Sequence, residues 1–100
     1  MKNASGYTFR EWRVPDHMVG GIRRYIEQGI PPGDFLTAVL DNDLKEAMGR
    51  ADDENLRNLP AILAYFYNEA PGLCWGSPKR RHAWLAKFAA ARREGQDANT

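Results

Sequence analysis

Proline and glycine punctuate this chain at Pro15, at Gly29-Ile30-Pro31-Pro32-Gly33, at Pro60, at Pro71-Gly72 and at Pro78, and every apolar run must fit between those breaks. Inside the runs the apolar residues recur at helical spacing, and no stretch alternates at period two for long enough to make a strand. The pattern therefore predicts an all-α fold, a single-domain bundle of about four to five helices, which suits a chain of 100 residues with room for one modest core.

Pro15 and Asp16 open a first helix over 16–28, with Met18, Ile22, Tyr25 and Ile26 on one face and Gly29 as its left-handed stop. Gly20 and Gly21 inside it cost about 1 kcal/mol each relative to alanine, so a close neighbour is expected against them. Asp34 reads as the cap of a short second helix over 35–42. Asn42 and Asp43 can cap a third, with Leu44, Ala47 and Met48 inward, running on from the second with a bend and weakened at Gly49. Asp52 caps the central helix over 53–69, whose stripe is Leu56, Leu59, Ile62, Leu63, Phe66 and Tyr67. Pro60 should kink that helix or make Asn58 a second cap. Ser77-Pro78 starts the last helix, over 78–93. Residues 1–14 then form an irregular arm over the core, 15–94 the helical domain and 95–100 a disordered tail.

The formal charge of +1 excludes a global electrostatic pull toward nucleic acid or membrane, but the charge is segregated. Positions 79–93 carry Lys79, Arg80, Arg81, Lys87, Arg92 and Arg93 with no acid among them. Positions 41–55 crowd Asp41, Asp43, Glu46, Asp52, Asp53 and Glu54 against only Lys45 and Arg50. The single cysteine, Cys74, the lack of an apolar leader in MKNASGYTFREW and the lack of a run near the ~18 apolar residues of a membrane span together predict a cytoplasmic protein.

Chemistry finds little purchase. Asp41 and Asp43 imitate the start of a calcium loop, yet Glu46 stands where its tight turn needs glycine. His17 and His82 have no second ligand at zinc spacing. Cys74 with His82 is the one conceivable nucleophilic pair, and Cys74 in Leu-Cys-Trp reads better as a small buried hydrophobe. No phosphate-binding, dinucleotide or hydrolase motif occurs. The reading is accordingly non-enzymatic, with no catalytic residue, cofactor or metal.

Two binding readings remain. The acids of 41–54 begin two helices that meet at a corner; capping uses some of them and the excess should project as a patch for a cationic partner surface. Alternatively, the basic 79–93 helix, aided by Lys2, Arg10 and Arg13 with Tyr7, Phe9 and Trp12 in the arm, could contact nucleic acid.

The run GIPPGDFLTAVLDNDLKEAMGRADDENLRNLP, followed by YNEAPGLCWGSP, resembles small phage-encoded anti-CRISPR proteins that act on type I-F systems, over about residues 12–85. That resemblance implies a non-enzymatic inhibitor, in the host cell cytoplasm, of the type I-F CRISPR surveillance (Csy, or Cascade) complex. It would bind the Cas8f and Cas7f surface and block hybridisation of target DNA to the guide. Inhibitors that mimic duplex DNA are strongly acidic overall and this chain is not, so local occlusion with a few ion pairs is the form expected. Asp41, Asp43, Glu46, Asp52, Asp53 and Glu54 are the expected partner-binding set, on charge alone.

Overall fold

A computed structural model describes the backbone of residues 2–98 and the side chains of residues 2–95. Helix dominates it. In chain order come a minimal hairpin, β1 (Thr8–Phe9) and β2 (Trp12–Arg13), then α1 (Asp16–Gln28), α2 (Asp34–Leu40), α3 (Leu44–Arg50), α4 (Asp53–Arg57), α5 (Leu59–Asn68), a 3-10 turn at Gly72–Cys74 and α6 (Pro78–Ala98). The all-α expectation holds, with six α-helices among the described residues in place of four to five.

The extra helix arises where the central segment divides. Asn58 sits at φ −107° and ψ 13°, outside helical geometry, because Pro60 two positions on can donate no main-chain hydrogen bond. Its side chain serves both neighbours without capping α5: Nδ2 donates to the Glu54 carbonyl at 3.0 Å, and Oδ1 accepts from the Arg13 main-chain N–H at 3.1 Å. The break also corrects the stripe. Asn55, Leu59, Ile62 and Phe66 point inward, while Leu56 and Tyr67 are exposed, Tyr67 by 80%.

The segment around 41–43 was expected to bend; it reverses. Asn42 takes a left-handed conformation at φ 59°, which asparagine tolerates better than most residues, and the Asp43 N–H returns to the Ala38 carbonyl at 2.9 Å. Helix α2 therefore ends at Leu40, and α3 folds back against it. Only Ala47 of the expected α3 face is buried; Leu44 and Met48 are exposed. Asp34 is likewise not a cap: Gly33 holds that position without a side-chain bond, and Asp34 lies in the first turn of α2, where its charge still suits the helix dipole.

The arm is more regular than expected. Thr8 pairs with Arg13 and Phe9 with Trp12, and the hairpin lies on α5 through Tyr7, whose ring meets Tyr65 edge-on at 5.3 Å. Tyr65 Oη donates to the Lys2 carbonyl at 2.8 Å. At the other side, Gly29 ends α1 in the left-handed region, as its position in the sequence predicts, with φ 64°. Phe88 of α6 packs directly on it, and Trp84 Nε1 donates to the Tyr25 carbonyl at 3.1 Å. Helix α6 runs past the expected end at position 93 to Ala98, starting from a Ser77 cap whose Oγ accepts from the Arg80 N–H at 3.1 Å. Of the expected tail, positions 99 and 100 lie outside the described residues. No helix among the described residues is long and apolar enough to cross a membrane.

The core lies where α1, α2 and α5 meet. Ile22, Tyr25, Leu40, Ile62 and Phe66 are completely buried there, together with Val14 from the end of the arm.

Candidate functional site

The six acids singled out in the sequence lie on three elements, Asp41 at the end of α2, Asp43 and Glu46 at the start of α3, and Asp52, Asp53 and Glu54 at the start of α4, and they do different work. Asp43 caps α3, accepting the Glu46 N–H at 3.2 Å, and Asp52 caps α4, accepting the Asn55 N–H at 2.7 Å. Both caps are as the sequence predicts, and each satisfies a main-chain donor that a helix start leaves open. Asp52 is shared: its other oxygen lies 3.1 Å from His17 Nε2, while His17 Nδ1 lies 3.6 Å from Glu54 Oε2. Glu46 meets Arg50 one turn on at 3.3 Å, and Arg50 also reaches Asp34 at 3.6 Å. Asp53, in the first turn of α4, has no cation within 4 Å among the described residues.

Asp41 stands apart. Its carboxylate faces α6 and receives both Arg81 Nε and Arg81 Nη2, so it is half-buried in an internal ion pair and offers little to a partner. The hydrogen bond to Asp41 in turn holds Arg81 more firmly protonated than a free guanidinium. The exposed acids of the set are therefore Asp43, Glu46, Asp52, Asp53 and Glu54, with Glu46 paired to Arg50. Two apolar side chains that the sequence assigned to the core are exposed on the same helix as Glu46: Leu44, 61% exposed, and Met48, 53% exposed, one turn apart on α3. The corner thus offers exposed apolar side chains on α3 and an acidic margin, the exposed carboxylates at the starts of α3 and α4.

Behind the corner opens a cleft of about 420 Å³, between α1, the Ile30–Gly33 turn, the start of α2 and the α3–α4 junction. Met18, Phe35 and Leu36 supply apolar surface to it, Arg24, Arg50, Asp34 and Asp52 its charged groups, and His17 an imidazole. Asn55 also lines it. That side chain is 4% exposed; its Nδ2 donates to the Met18 thioether at 3.4 Å and its Oδ1 has no hydrogen-bond partner among the described residues. A buried carbonyl oxygen left this way costs about 1–3 kcal/mol. Sequence reasoning passed over Asn55, although its spacing of four, seven and eleven residues from Leu59, Ile62 and Phe66 marks it as the one polar member of the inward stripe.

Gly20 and Gly21 face no other element. A Cβ at Gly20 would stand 3.0 Å from Nη1 of Arg24, a side chain of the same helix, so the glycines give room for that guanidinium to fold back along α1. No carboxylate lies within 4 Å of Arg24 among the described residues.

The basic helix is partly occupied by its own fold. Beyond the Arg81 pair, Arg80 Nη1 reaches the Gly72 carbonyl at 3.4 Å, Arg92 Nη1 the Gln28 carbonyl at 3.0 Å, and Lys87 Nζ lies 4.7 Å from the Trp84 ring centre. Cys74 is fully buried under the loop, and burial pushes its thiol up to about 11, while His82 is exposed. A protonated, enclosed thiol is a poor nucleophile. Among the described residues no three His, Cys, Asp or Glu side chains group as metal ligands.

Fold and surface together define the class: a small all-α domain with exposed apolar and acidic side chains on α3 and α4 and a polar cleft at their junction. No protein-family model, no curated protein and no solved structure matches this chain, so no relative assigns a role to these residues.

Proposed function

We propose that this chain is a non-enzymatic interaction protein that docks through the α3–α4 corner on a cationic protein surface and acts by occluding it. The observation that carries the reading is the exposure of Leu44 and Met48 on α3 together with the exposed carboxylates of Asp43, Asp52, Asp53 and Glu54 at the starts of α3 and α4. Exposed apolar anchors accompanied by charge suit a protein interface, with the anchors supplying affinity and the charges orientation and on-rate. The partner is the one the sequence resemblance implies, a type I-F CRISPR surveillance complex, whose cationic DNA-binding surface between Cas8f and Cas7f complements the margin. Asp41 is outside the contact set because Arg81 already holds it.

The test is a binding titration of the full chain against the purified, guide-loaded surveillance complex, with target DNA loading as the second readout. Asp43→Asn and Asp52→Asn keep a capping oxygen while removing charge, so together with Asp53→Asn and Glu54→Gln they neutralise the margin without uncapping either helix. Lost inhibition in that variant, with added loss from Met48→Ser, is the expected result. A wild-type chain that leaves the complex fully competent for DNA would sink the reading. Salt-sensitive retention of duplex DNA through Lys79, Arg80 and Arg93 would move the function to the basic helix.

A further inference from the structure

The cleft holds two features that neither the fold nor the docking reading uses. Asn55 carries a carboxamide whose Oδ1 has no partner among the described residues and whose Nδ2 has only a thioether, a weak acceptor, at 3.4 Å. Arg24 holds a guanidinium folded back over Gly20 toward the same cleft, with no carboxylate within 4 Å among the described residues. The rim's other guanidinium, Arg50, pairs with Asp34 at 3.6 Å, and Asp52 lies 3.1 Å from His17, so Arg24 is the rim guanidinium without a carboxylate partner among the described residues.

A carboxamide with an orphaned oxygen and a weakly engaged nitrogen calls for a flat edge carrying a donor and an acceptor side by side, and the uncompensated guanidinium calls for an oxyanion that can accept two parallel N–H bonds. We propose that the cleft binds an adenine nucleotide, the base setting its 6-amino group and N7 against Asn55 and the phosphate reaching Arg24. Asparagine reads adenine through that pair of atoms, whereas guanine offers two acceptors on the same edge and leaves Oδ1 unpaired. Met18, Phe35 and Leu36 supply apolar surface for the base, and a volume of about 420 Å³ suits a ligand of this size. Oδ1 is shielded from solvent, with Met18 against the amide. Entry follows when the unbranched Met18 side chain swings off the amide, a motion its flexible chain permits.

The experiment is calorimetric titration of the full chain with adenosine monophosphate, guanosine monophosphate and inorganic phosphate. Adenosine monophosphate should bind, with guanosine monophosphate weaker by about tenfold or more. Asn55→Leu keeps the α4 cap, because the capped group is the main-chain N–H, and removes the orphaned oxygen, so it should fold and lose about tenfold in affinity. Arg24→Gln, at an exposed position, should lose a similar factor and serves alone if Asn55→Leu does not fold. The proposal is overturned by absence of heat with adenosine monophosphate, by equal binding of the two nucleotides, by phosphate matching the nucleotide, or by unchanged affinity in Arg24→Gln.

Discussion

Arg81 closes on Asp41 through two parallel hydrogen bonds, Nε to Oδ1 at 2.6 Å and Nη2 to Oδ2 at 3.1 Å, and so ties the first turns of α6 to the end of α2 across forty positions of sequence. The pair accounts for a cation placed near a helix N-terminus, where the helix dipole opposes it. It also ends at the carboxylate that the sequence placed first in an acidic patch. Both side chains are shielded, at 17% and 16% exposure, so the bond is stronger than a surface ion pair and its halves are poorly tolerated alone.

Removing one partner leaves a half-buried charge uncompensated. Asp41→Asn and Arg81→Met should each destabilise the fold by about 1–3 kcal/mol, below the cost of breaking a fully buried pair. The double variant should lose less than the sum of the two, and thermal melts of all four chains measure that coupling. Asp41→Asn should meanwhile leave docking affinity unchanged in any preparation that remains folded.

Gly29 is the second clamp on α6. Its φ of 64° is strained for any side chain, and an added Cβ would fall inside the Phe88 ring. Gly29→Ala should therefore lower the melting temperature by more than 10 °C, from about 1–2 kcal/mol of backbone strain plus displacement of Phe88. Gly49→Ala is the matched control: it lies within α3, a Cβ there meets nothing within 4 Å, and it should be neutral or stabilise by up to about 1 kcal/mol.

Much of this architecture was legible because helix ends are written locally. Asp43, Asp52, Ser77 and Gly29 each terminate a helix with a group that acts within a few residues, and the structure uses all four as read. The faces were less legible. Leu56 and Leu59 both fit a helical period, and only the break at Asn58 decides that Asn55, not Leu56, continues the inward line. Leu44 and Met48 read as core because hydrophobicity alone does not distinguish a buried anchor from an exposed one. The Arg81–Asp41 pair had no local signal at all, since it depends on how α6 returns to α2.

The register of the central segment has its own measurement. Ile62→Ala and Phe66→Ala remove fully buried groups and should each cost about 2–5 kcal/mol. Leu56→Ser and Tyr67→Ser touch exposed side chains and should stay within about 0.5 kcal/mol. Chemical denaturation of the four variants gives the contrast; a large loss at Leu56 would place the stripe on the other face.

Alkaline pH should find the region under the 3-10 turn first. Tyr25 Oη donates to the Cys74 carbonyl at 2.7 Å, and burial raises both the tyrosine hydroxyl and the Cys74 thiol above their ordinary values. The thiol moves from 9.0 to about 11, so the unfolded chain ionises first and binds fewer protons than the folded one above pH 9. The stability carried by the neutral thiol is then complete below pH 9 and is lost as the pH climbs toward 11, up to about 3 kcal/mol. Tyr25 adds in the same direction above pH 10, where the unfolded hydroxyl ionises. Melting temperatures taken at pH 7, 9, 10 and 11 should fall across the last three, and in Cys74→Ala the fall should begin only above pH 10. A thiol reagent applied to the native chain at pH 8 should leave Cys74 unmodified until denaturant opens the fold; rapid labelling under native conditions would show that the thiol is neither enclosed nor held in its protonated form.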